Sequence, residues 1–511
     1  AFTALSFVGI SFYDALAVNV VAPSKVPFRV ATLAGAAGYA ISGLLGVSYL
    51  TGTAVRYRVY SSFGLDLASV TGIIAISWTG FCSGLALIFG GLLVFHPSGL
   101  SAILPIPPVL ETGVGLAIMG GLAAYLFWLA TGKRKLKAGG FGITLPGAKI
   151  GTVLTGAGLI DLISAAMVLY VLMPADLVQN LPYFVTIFFG AVALGMLSHS
   201  PGGLGAFEAT IISGLGASGR SDVLAALLLY RVIYTIVPFV IAALGLGLMA
   251  AIARRSELSG GAQMIWRAFQ PLVPPVAAGV VLLAGVLLLL SGSLPAEQSR
   301  LGVLRELLPL SFIETFHLVG SITGLFLIVV ARGLFRKLYR AWVVAMGLIV
   351  LGLLASLLKG LDWQESLSML ATLAVLGLFR PAFYRADSVS VFRLNGTWIV
   401  TTLALLAAVF WIGIFAHSHL PYRNALWWDF TWHGDASRFL RASLAAAVIL
   451  AVIAFNSLMT GKASRKQLEP APDAVRRLVT TSEDSEANIA LTGDKSFLVS
   501  DDESAFIAYA D

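Results

Sequence analysis

Runs of about twenty apolar residues recur along the whole chain, each long enough to cross the ~30 Å hydrocarbon core of a bilayer as one helix. They lie near 2–21, 30–50, 67–95, 110–131, 153–173, 181–198, 222–253, 272–293, 307–330, 341–358, 364–384, 397–416 and 439–460. Only 12% of the residues are charged, about half the share expected of a soluble protein. In lipid every backbone N–H and C=O must be bonded within the protein, and runs of this length meet that demand as helices. The expected fold class is an all-α polytopic membrane protein of about 13–14 transmembrane helices, some of them re-entrant or broken. Cys82 is the single cysteine, so no intrachain disulfide can form. Ala1 already stands in an apolar helix with no basic region or Met before it, so the N-terminus reads as trimmed.

The stretch HSPGGLGAFEATI, residues 199–211, interrupts this pattern. Pro201, Gly202, Gly203 and Gly205 are unsuited to a helix interior. Glu208 falls in the first turn of whatever helix restarts after them. A carboxylate at membrane depth costs roughly 2.5–3.5 kcal/mol on insertion scales. Broken backbone is tolerated there only where it is buried in protein or lines a wet cavity. A Gly/Pro-interrupted apolar segment beside an acid is a pointer to a transport site. The alternative is an exposed loop with a solvated acid. The second apolar run, around VATLAGAAGYAISGLLGVSYLTG, is glycine-rich, which implies close helix contacts or a break.

Charge is distributed unevenly. Residues 473–511 hold nine acidic and three basic side chains, leaving 30 Lys and Arg against 17 Asp and Glu in residues 1–472. The basic residues cluster in loops: Arg56/Arg58, Lys133–Lys137, Arg254/Arg255, Arg332–Arg340, Arg380–Arg393 and Lys462 onward. Short basic loops belong on the cytoplasmic side of a membrane rather than on nucleic acid. One conflict remains. Three apolar runs separate Lys137 from Arg254, which puts them on opposite sides unless 203–219 crosses or 200–220 re-enters. The polar connector 254–267 is the best internal boundary, giving membrane units 1–255 and 256–461. A basic linker, 462–472, leads to residues 473–511, where FLVSDDESAFIAYA reads strand, turn, strand at the start of a soluble domain.

Ionisable groups inside apolar runs are candidates for function. They are Asp14, Arg56, Arg58, Asp161, Glu208 and Arg231 in the first half, and Glu314 and His317 in the second. A lipid carrying phosphate and ammonium needs both signs. Arg suits the phosphate because its planar fork bonds two oxygens, and carboxylates suit the ammonium. The alternative for each is an internal ion pair. Two Arg at one span end are also an ordinary cytoplasmic flank. Glu314 and His317 share a helix face, but no further ligands accompany them, so no metal site is expected. WWDFTWHGDASRF, with Trp427, Trp428 and Trp432, fits an interfacial aromatic belt. No Walker loop, nucleophile elbow or Cys/His cluster is visible, so no cofactor and no ATP-driven pump are expected.

Several segments together resemble the multiple peptide resistance factor family. They are SFYDALA in the first run, GTAVRYRVYSSFGL, PGGLGAFEATI, LLLYRVIYTIVPF, LPLSFIETFHLVGS, WWDFTWHGDASRFLRA and the terminal ALTGDKSFLVSDDESAFIAYAD. The resemblance runs in order over nearly the whole chain. It implies a bacterial inner-membrane, multi-pass protein with a cytoplasmic C-terminus. In this family a membrane flippase precedes a cytoplasmic synthase that moves an aminoacyl group, usually lysyl, from charged tRNA to phosphatidylglycerol. The implied partners are phosphatidylglycerol, lysyl-phosphatidylglycerol, the bilayer and, through the synthase, Lys-tRNA; a homo-oligomer is left open. The product repels cationic antimicrobial peptides. Asp14, Arg56, Asp161 and Glu208 are the implied flippase positions. The family's first span would precede Ala1 and the synthase fold would follow Asp511, so no catalytic residue is assigned in this chain. The alternatives are a secondary transporter of a soluble solute and a scaffold that presents lipid to the synthase.

Overall fold

The computed structural model describes residues 1–45, 48–97, 107–132, 135–138, 141–198, 203, 205–255, 260–293, 309–360, 362–385, 403, 406–407, 440–450, 452, 471–482, 490–491 and 496–509. The chain is a bundle of apolar helices, and the protein is an all-α polytopic membrane protein. Eight helices among the described residues are long and apolar enough to cross a bilayer. Most of the expected span 397–416, the aromatic segment 427–439 and the linker 462–470 lie outside the described residues, as do His199 to Gly202 and Leu204.

The first half begins with α1 (Phe2–Val21), which turns into α2 (Phe28–Leu45). From its far end the chain returns through α3 (Ser48–Tyr60) to the start of α4 (Leu67–Phe95), whose first turn is capped by Asp66. Val21, at the end of α1, packs beside Gly72 near the start of α4. So α2 and α3 form a hairpin that enters and leaves at one face and adds no net crossing. Next, α5 (Pro108–Ala130) and a short antiparallel ribbon, β1 (Lys135–Ala138) with β2 (Phe141–Thr144), lead to α6 (Ala148–Leu172). The ribbon occupies a stretch that reads in sequence only as a basic loop.

A second hairpin follows: α7 (Leu181–Leu197) and α8 (Ala206–Gly214). Tyr183 at the start of α7 donates to the Gly214 carbonyl at the end of α8, 2.6 Å away. Arg220 ion-pairs with Asp176 across the hairpin's feet. Nine residues of α8 rise about 14 Å, under half of a ~30 Å hydrocarbon core. Helices α7 and α8 therefore re-enter rather than cross, which puts Lys137 and Arg254 on one face. The broken tip is built by glycine. Gly203 and Gly205 have φ of 70° and 84°, a region side chains rarely adopt, and Gly203 lies against Gly195. From the hairpin the chain runs through α9 (Ser221–Arg231), a π-helical turn (Val232–Ile236) and α10 (Val237–Arg255) as one long rod.

The same order, helix, hairpin, helix, thus occurs twice, first as α1 to α4 and again as α6 to α10. The single crossing α5 between them turns the second copy upside down. Gly9 and Asp14 in α1 share the spacing of Gly156 and Asp161 in α6. Gly64 and Asp66 precede α4 much as Gly219 and Asp222 open α9. The two hairpins therefore enter from opposite faces, the arrangement of inverted-repeat transporters.

The second half packs α11 (Gly260–Phe269), α12 (Val273–Ser293), α13 (Leu310–Phe335), α14 (Tyr339–Gly360) and α15 (Trp363–Leu378) against α2 and α10. A further apolar helix, α16, covers Leu440–Leu450. Beyond it, α17 (Asp473–Thr481) buries Val475 and Val479, four apart, against Phe497 and Phe506 of a hairpin, β3 (Ser496–Val499) and β4 (Phe506–Tyr509). The strand, turn, strand is as expected from sequence. The helix before it is missed there, because its short mixed-charge stretch shows its apolar face only once the hairpin is in place.

Glycines set the closest helix approaches. A Cβ on Gly285 of α12 would stand 2.6 Å from the Gly324 carbonyl of α13, and the reverse clash is equal. Gly285→Ala should destabilise the protein by about 1–3 kcal/mol through overpacking. Gly347→Ala, in open space, should not. Thermal unfolding of both variants in detergent checks this, and equal midpoints would contradict the packing.

Candidate functional site

A cavity of about 460 Å³ lies between the two inverted units. Its walls come from α1, from both hairpins, from α4 and α6, and from the π-helical turn. The two hairpin tips contribute Ser42, Gly43, Thr53 and Arg56 from one side and Gly195, Gly203 and Phe207 from the other. Among the described residues, the charged groups on the wall are Arg56, Asp161 and Arg231.

Arg56 is held from behind. Its Nε donates to Asp14 at 2.7 Å, and Asp14 also accepts from Tyr60 (2.9 Å) and Ser77 (3.1 Å). Asp14 is fully buried with both oxygens engaged, behind Arg56. The glycines of the first hairpin make room for this pair. A Cβ on Gly35 would lie 3.0 Å from Asp14 Cβ, and one on Gly52 would lie 3.2 Å from Arg56 Nη1. Gly35, Gly38 and Gly52 of the glycine-rich second run are thus explained by close approach to these two side chains.

Arg231 is held in the same manner by the second hairpin. Glu208 Oε1 accepts from Arg231 Nε (2.9 Å) and from its Nη2 (2.7 Å), while Oε2 accepts from the Gly205 N–H at 2.8 Å. This last bond caps α8, as the first-turn position of the acid implied. Arg231 also lies over the Phe207 ring, 5.4 Å from its centroid. Stacked rings continue from Phe207 through Tyr230 to Tyr234, which meets Tyr39 edge-on.

Asp161 differs from the other two acids. It accepts from Ser6 (2.6 Å), Tyr13 (3.2 Å) and Tyr234 (3.2 Å). Tyr234 reaches it because the π-helical turn rotates that side chain off the regular helix path. Sequence periodicity carries no sign of such a turn, so Tyr234 goes unnoticed in sequence, and Ser6, Tyr13, Tyr60 and Ser77 do too because they meet the acids only through helix packing. Only Tyr13, beside Asp14 in SFYDAL, offers a local signal.

The remaining residues lie elsewhere. Arg58 points away from the cavity and lies over Phe335, 5.5 Å from the ring centroid. Glu314 is buried and ion-paired with Arg441 of α16, and His317 is buried beside it on α13. Neither lines the cavity. Lys359, fully buried, donates to Glu365 (2.7 Å) and to Ser291 (2.6 Å), joining α12, α14 and α15. This cluster also escapes sequence reading, although Lys359 is the lone base closing an apolar run.

A helix bundle that encloses a cavity walled by two braced guanidiniums and a carboxylate defines a multi-pass membrane protein with an internal polar site. No protein-family model matches the chain. It is 31% identical over 254 residues to an uncharacterized protein of Synechocystis, covering 50% of this chain and 79% of that one. It is 23% identical over 513 residues to the phosphatidylglycerol lysyltransferase of Bacillus subtilis, covering 94% of this chain and 57% of that one. A third relative, the Escherichia coli inner membrane protein YbhN, is 26% identical over 226 residues, 42% of this chain and 69% of that protein. The chain belongs to the multiple peptide resistance factor family, whose members include proteins named phosphatidylglycerol lysyltransferase. It spans little more than half the length of the Bacillus relative.

Asp14→Asn should destabilise the protein by about 3–5 kcal/mol, because it strands the Arg56 charge in the bundle. The double change Asp14→Asn with Arg56→Gln should recover most of that loss. A double-mutant cycle on unfolding midpoints measures it, and additive losses would mean that the pair is not coupled.

Proposed function

We propose that this chain translocates aminoacylated phosphatidylglycerol, in particular lysyl-phosphatidylglycerol, from the inner to the outer leaflet of a bacterial inner membrane. In the whole protein it would work beside a synthase that makes this lipid from Lys-tRNA and phosphatidylglycerol. The single observation that carries the reading is the cavity between opposed hairpins, with guanidiniums and a carboxylate among its lining residues. A lipid that bears both phosphate and ammonium needs both signs in one place. Arg56 and Arg231 both stand on the cavity wall, and a guanidinium fork suits phosphate oxygens. Hairpins that enter from opposite faces can each open the cavity toward its own side, which is what alternating access requires.

Several further points support the reading. Lys137 and Arg254 share a face, which the positive-inside rule would make cytoplasmic, and α17 with its hairpin follows the last basic stretch of the sequence. These last elements are too small to hold a tRNA-dependent acyl-transfer site, which needs a folded core to align ester, hydroxyl and base. Residues 1–255 therefore carry translocation, 256–461 form a supporting membrane unit, and synthesis belongs to sequence outside residues 1–511. Aminoacylation of the outer leaflet would then lower its negative charge and repel cationic peptides.

The test uses the purified chain in proteoliposomes loaded with lysyl-phosphatidylglycerol, with an amine-reactive, membrane-impermeant label reporting sidedness. Protein should speed equilibration between leaflets. Arg56→Lys and Arg231→Lys should each slow it about tenfold or more, since a point charge loses the bidentate geometry. Arg58→Lys should match the unchanged protein. Equal rates in protein-free vesicles would overturn the reading.

A further inference from the structure

We infer that the cytoplasmic end of the second membrane unit is an RNA-docking face, on which the phosphate backbone of the tRNA rests while its aminoacyl end reaches the synthase. The inference rests on the reading above, in which the whole protein draws on Lys-tRNA, and it assigns residues 256–461 a task beyond support.

Each basic stretch by itself is the ordinary flank of a multi-pass protein. Sequence does not show that three of them meet. The turn between α13 and α14 is clasped by backbone to the exit of α15. The Tyr339 N–H donates to the Arg385 carbonyl at 3.1 Å, and the Arg385 N–H donates to the Lys337 carbonyl at 3.2 Å. The end of α3 arrives at the same place, since Arg58 lies over Phe335. After Arg254, α12 crosses and α13 returns, so the clasp lies on the face of Arg254. Lys337, Arg380 and Arg385 stand beyond the ends of α13 and α15, outside the helices that enter the bilayer.

Aromatic rings interleave with these bases. Lys337 lies over the Tyr384 ring, 5.7 Å from its centroid, and Arg380 lies over Trp342 at 5.9 Å. Trp342 stacks on Tyr339 and donates its indole N–H to the Leu376 carbonyl at 2.9 Å. Tyr339, Arg340, Arg380, Tyr384 and Arg385 are all exposed. Cations set among exposed rings suit a nucleic-acid strand, whose backbone meets the charges and whose unpaired bases stack on the rings.

Charge decides between RNA and lipid. Arg58, Lys337, Arg340, Arg380 and Arg385 have no ion pair among the described residues. No Asp or Glu occurs from Thr315 to Leu361 or from Ser366 to Ala386. A phosphatidylglycerol headgroup brings one negative charge and would leave most of these bases unmatched. An RNA strand brings one at every nucleotide. A tRNA that serves a lipid-modifying site must also approach an anionic membrane surface, which repels it, and a basic protein face offsets that repulsion.

The test titrates the purified chain, in nanodiscs of phosphatidylcholine, with fluorescently labelled deacylated tRNA. Binding should saturate, and the logarithm of its constant should fall with the logarithm of salt with a slope of about −3 to −5, as five phosphate contacts imply. Arg380→Gln with Arg385→Gln should weaken binding about tenfold and reduce the slope by about two. Lys25→Gln with Arg29→Gln removes two charges from the same face, at the turn from α1 to α2, and should leave binding unchanged. Both double variants should still equilibrate lysyl-phosphatidylglycerol, which shows that they are folded. No saturable binding by the unchanged chain, or equal losses in the two double variants, would overturn the inference while leaving translocation intact. Phosphatidylglycerol enriched by the unchanged chain and lost in Arg380→Gln with Arg385→Gln, without RNA binding, would assign the face to anionic lipid instead. Failure of the unchanged chain to equilibrate lysyl-phosphatidylglycerol would count against the translocation reading and not against RNA docking.

Discussion

A guanidinium and a carboxylate 2.7 Å apart inside an apolar bundle fix much else in this protein. Neither Asp14 nor Arg56 could be left alone there without a large desolvation cost. Their union ties the returning arm α3 to the core helix α1, and Tyr60 and Ser77 complete the bonding of the acid. Glu208 and Arg231 do the corresponding work for the second hairpin, joining α8 to α9. In each unit an ion pair, buried at Asp14 and half-buried at Glu208 and Arg231, anchors the hairpin and leaves an arginine on the cavity wall.

The pairs can form only because backbones come close. Gly35 and Gly52 admit Asp14 and Arg56, and Gly9, Gly84 and Gly158 bring α1, α4 and α6 into near backbone contact. In a membrane, apolar side chains gain little from leaving lipid, so helix association depends on such close packing and on polar contacts. Small residues and buried charges are thus two parts of one device. The same pairing holds in the second half, where Gly285 and Gly324 set α12 against α13 and Lys359 bridges Glu365 and Ser291.

The inverted order of the two units gives the cavity its setting. Each hairpin approaches from its own face and stops at the shared cavity, where Gly203 forms part of the wall. The tip at Gly203 and Gly205 and the π-helical turn at Val232–Ile236 both depart from regular helix, and both lie at the cavity. Irregular backbone at this depth is stable only in such a place. Local irregularity and the site therefore coincide for a physical reason.

Much of this was legible in the sequence. Apolar runs determine a helical membrane protein, because hydrocarbon leaves the backbone no other partner than itself. The break near Gly203 and the acid after it were visible, since Pro, Gly and Glu are out of place in such a run. The intramembrane charges could be named one by one. Only the tertiary structure decided which of them meet. Pairing joins residues such as Asp14 and Arg56, or Glu208 and Arg231, that are distant in the chain, and no local period encodes it. Tertiary structure also separated Arg56, on the cavity wall, from Arg58, against Phe335, though both stand on one short helix. It decided that 181–198 is an arm of a hairpin, because a run's apolarity says that it enters a membrane and not whether it leaves by the other side. And it set Asp161 apart from the other acids, since whether a carboxylate faces an arginine or three hydroxyls depends on helix packing that composition does not record.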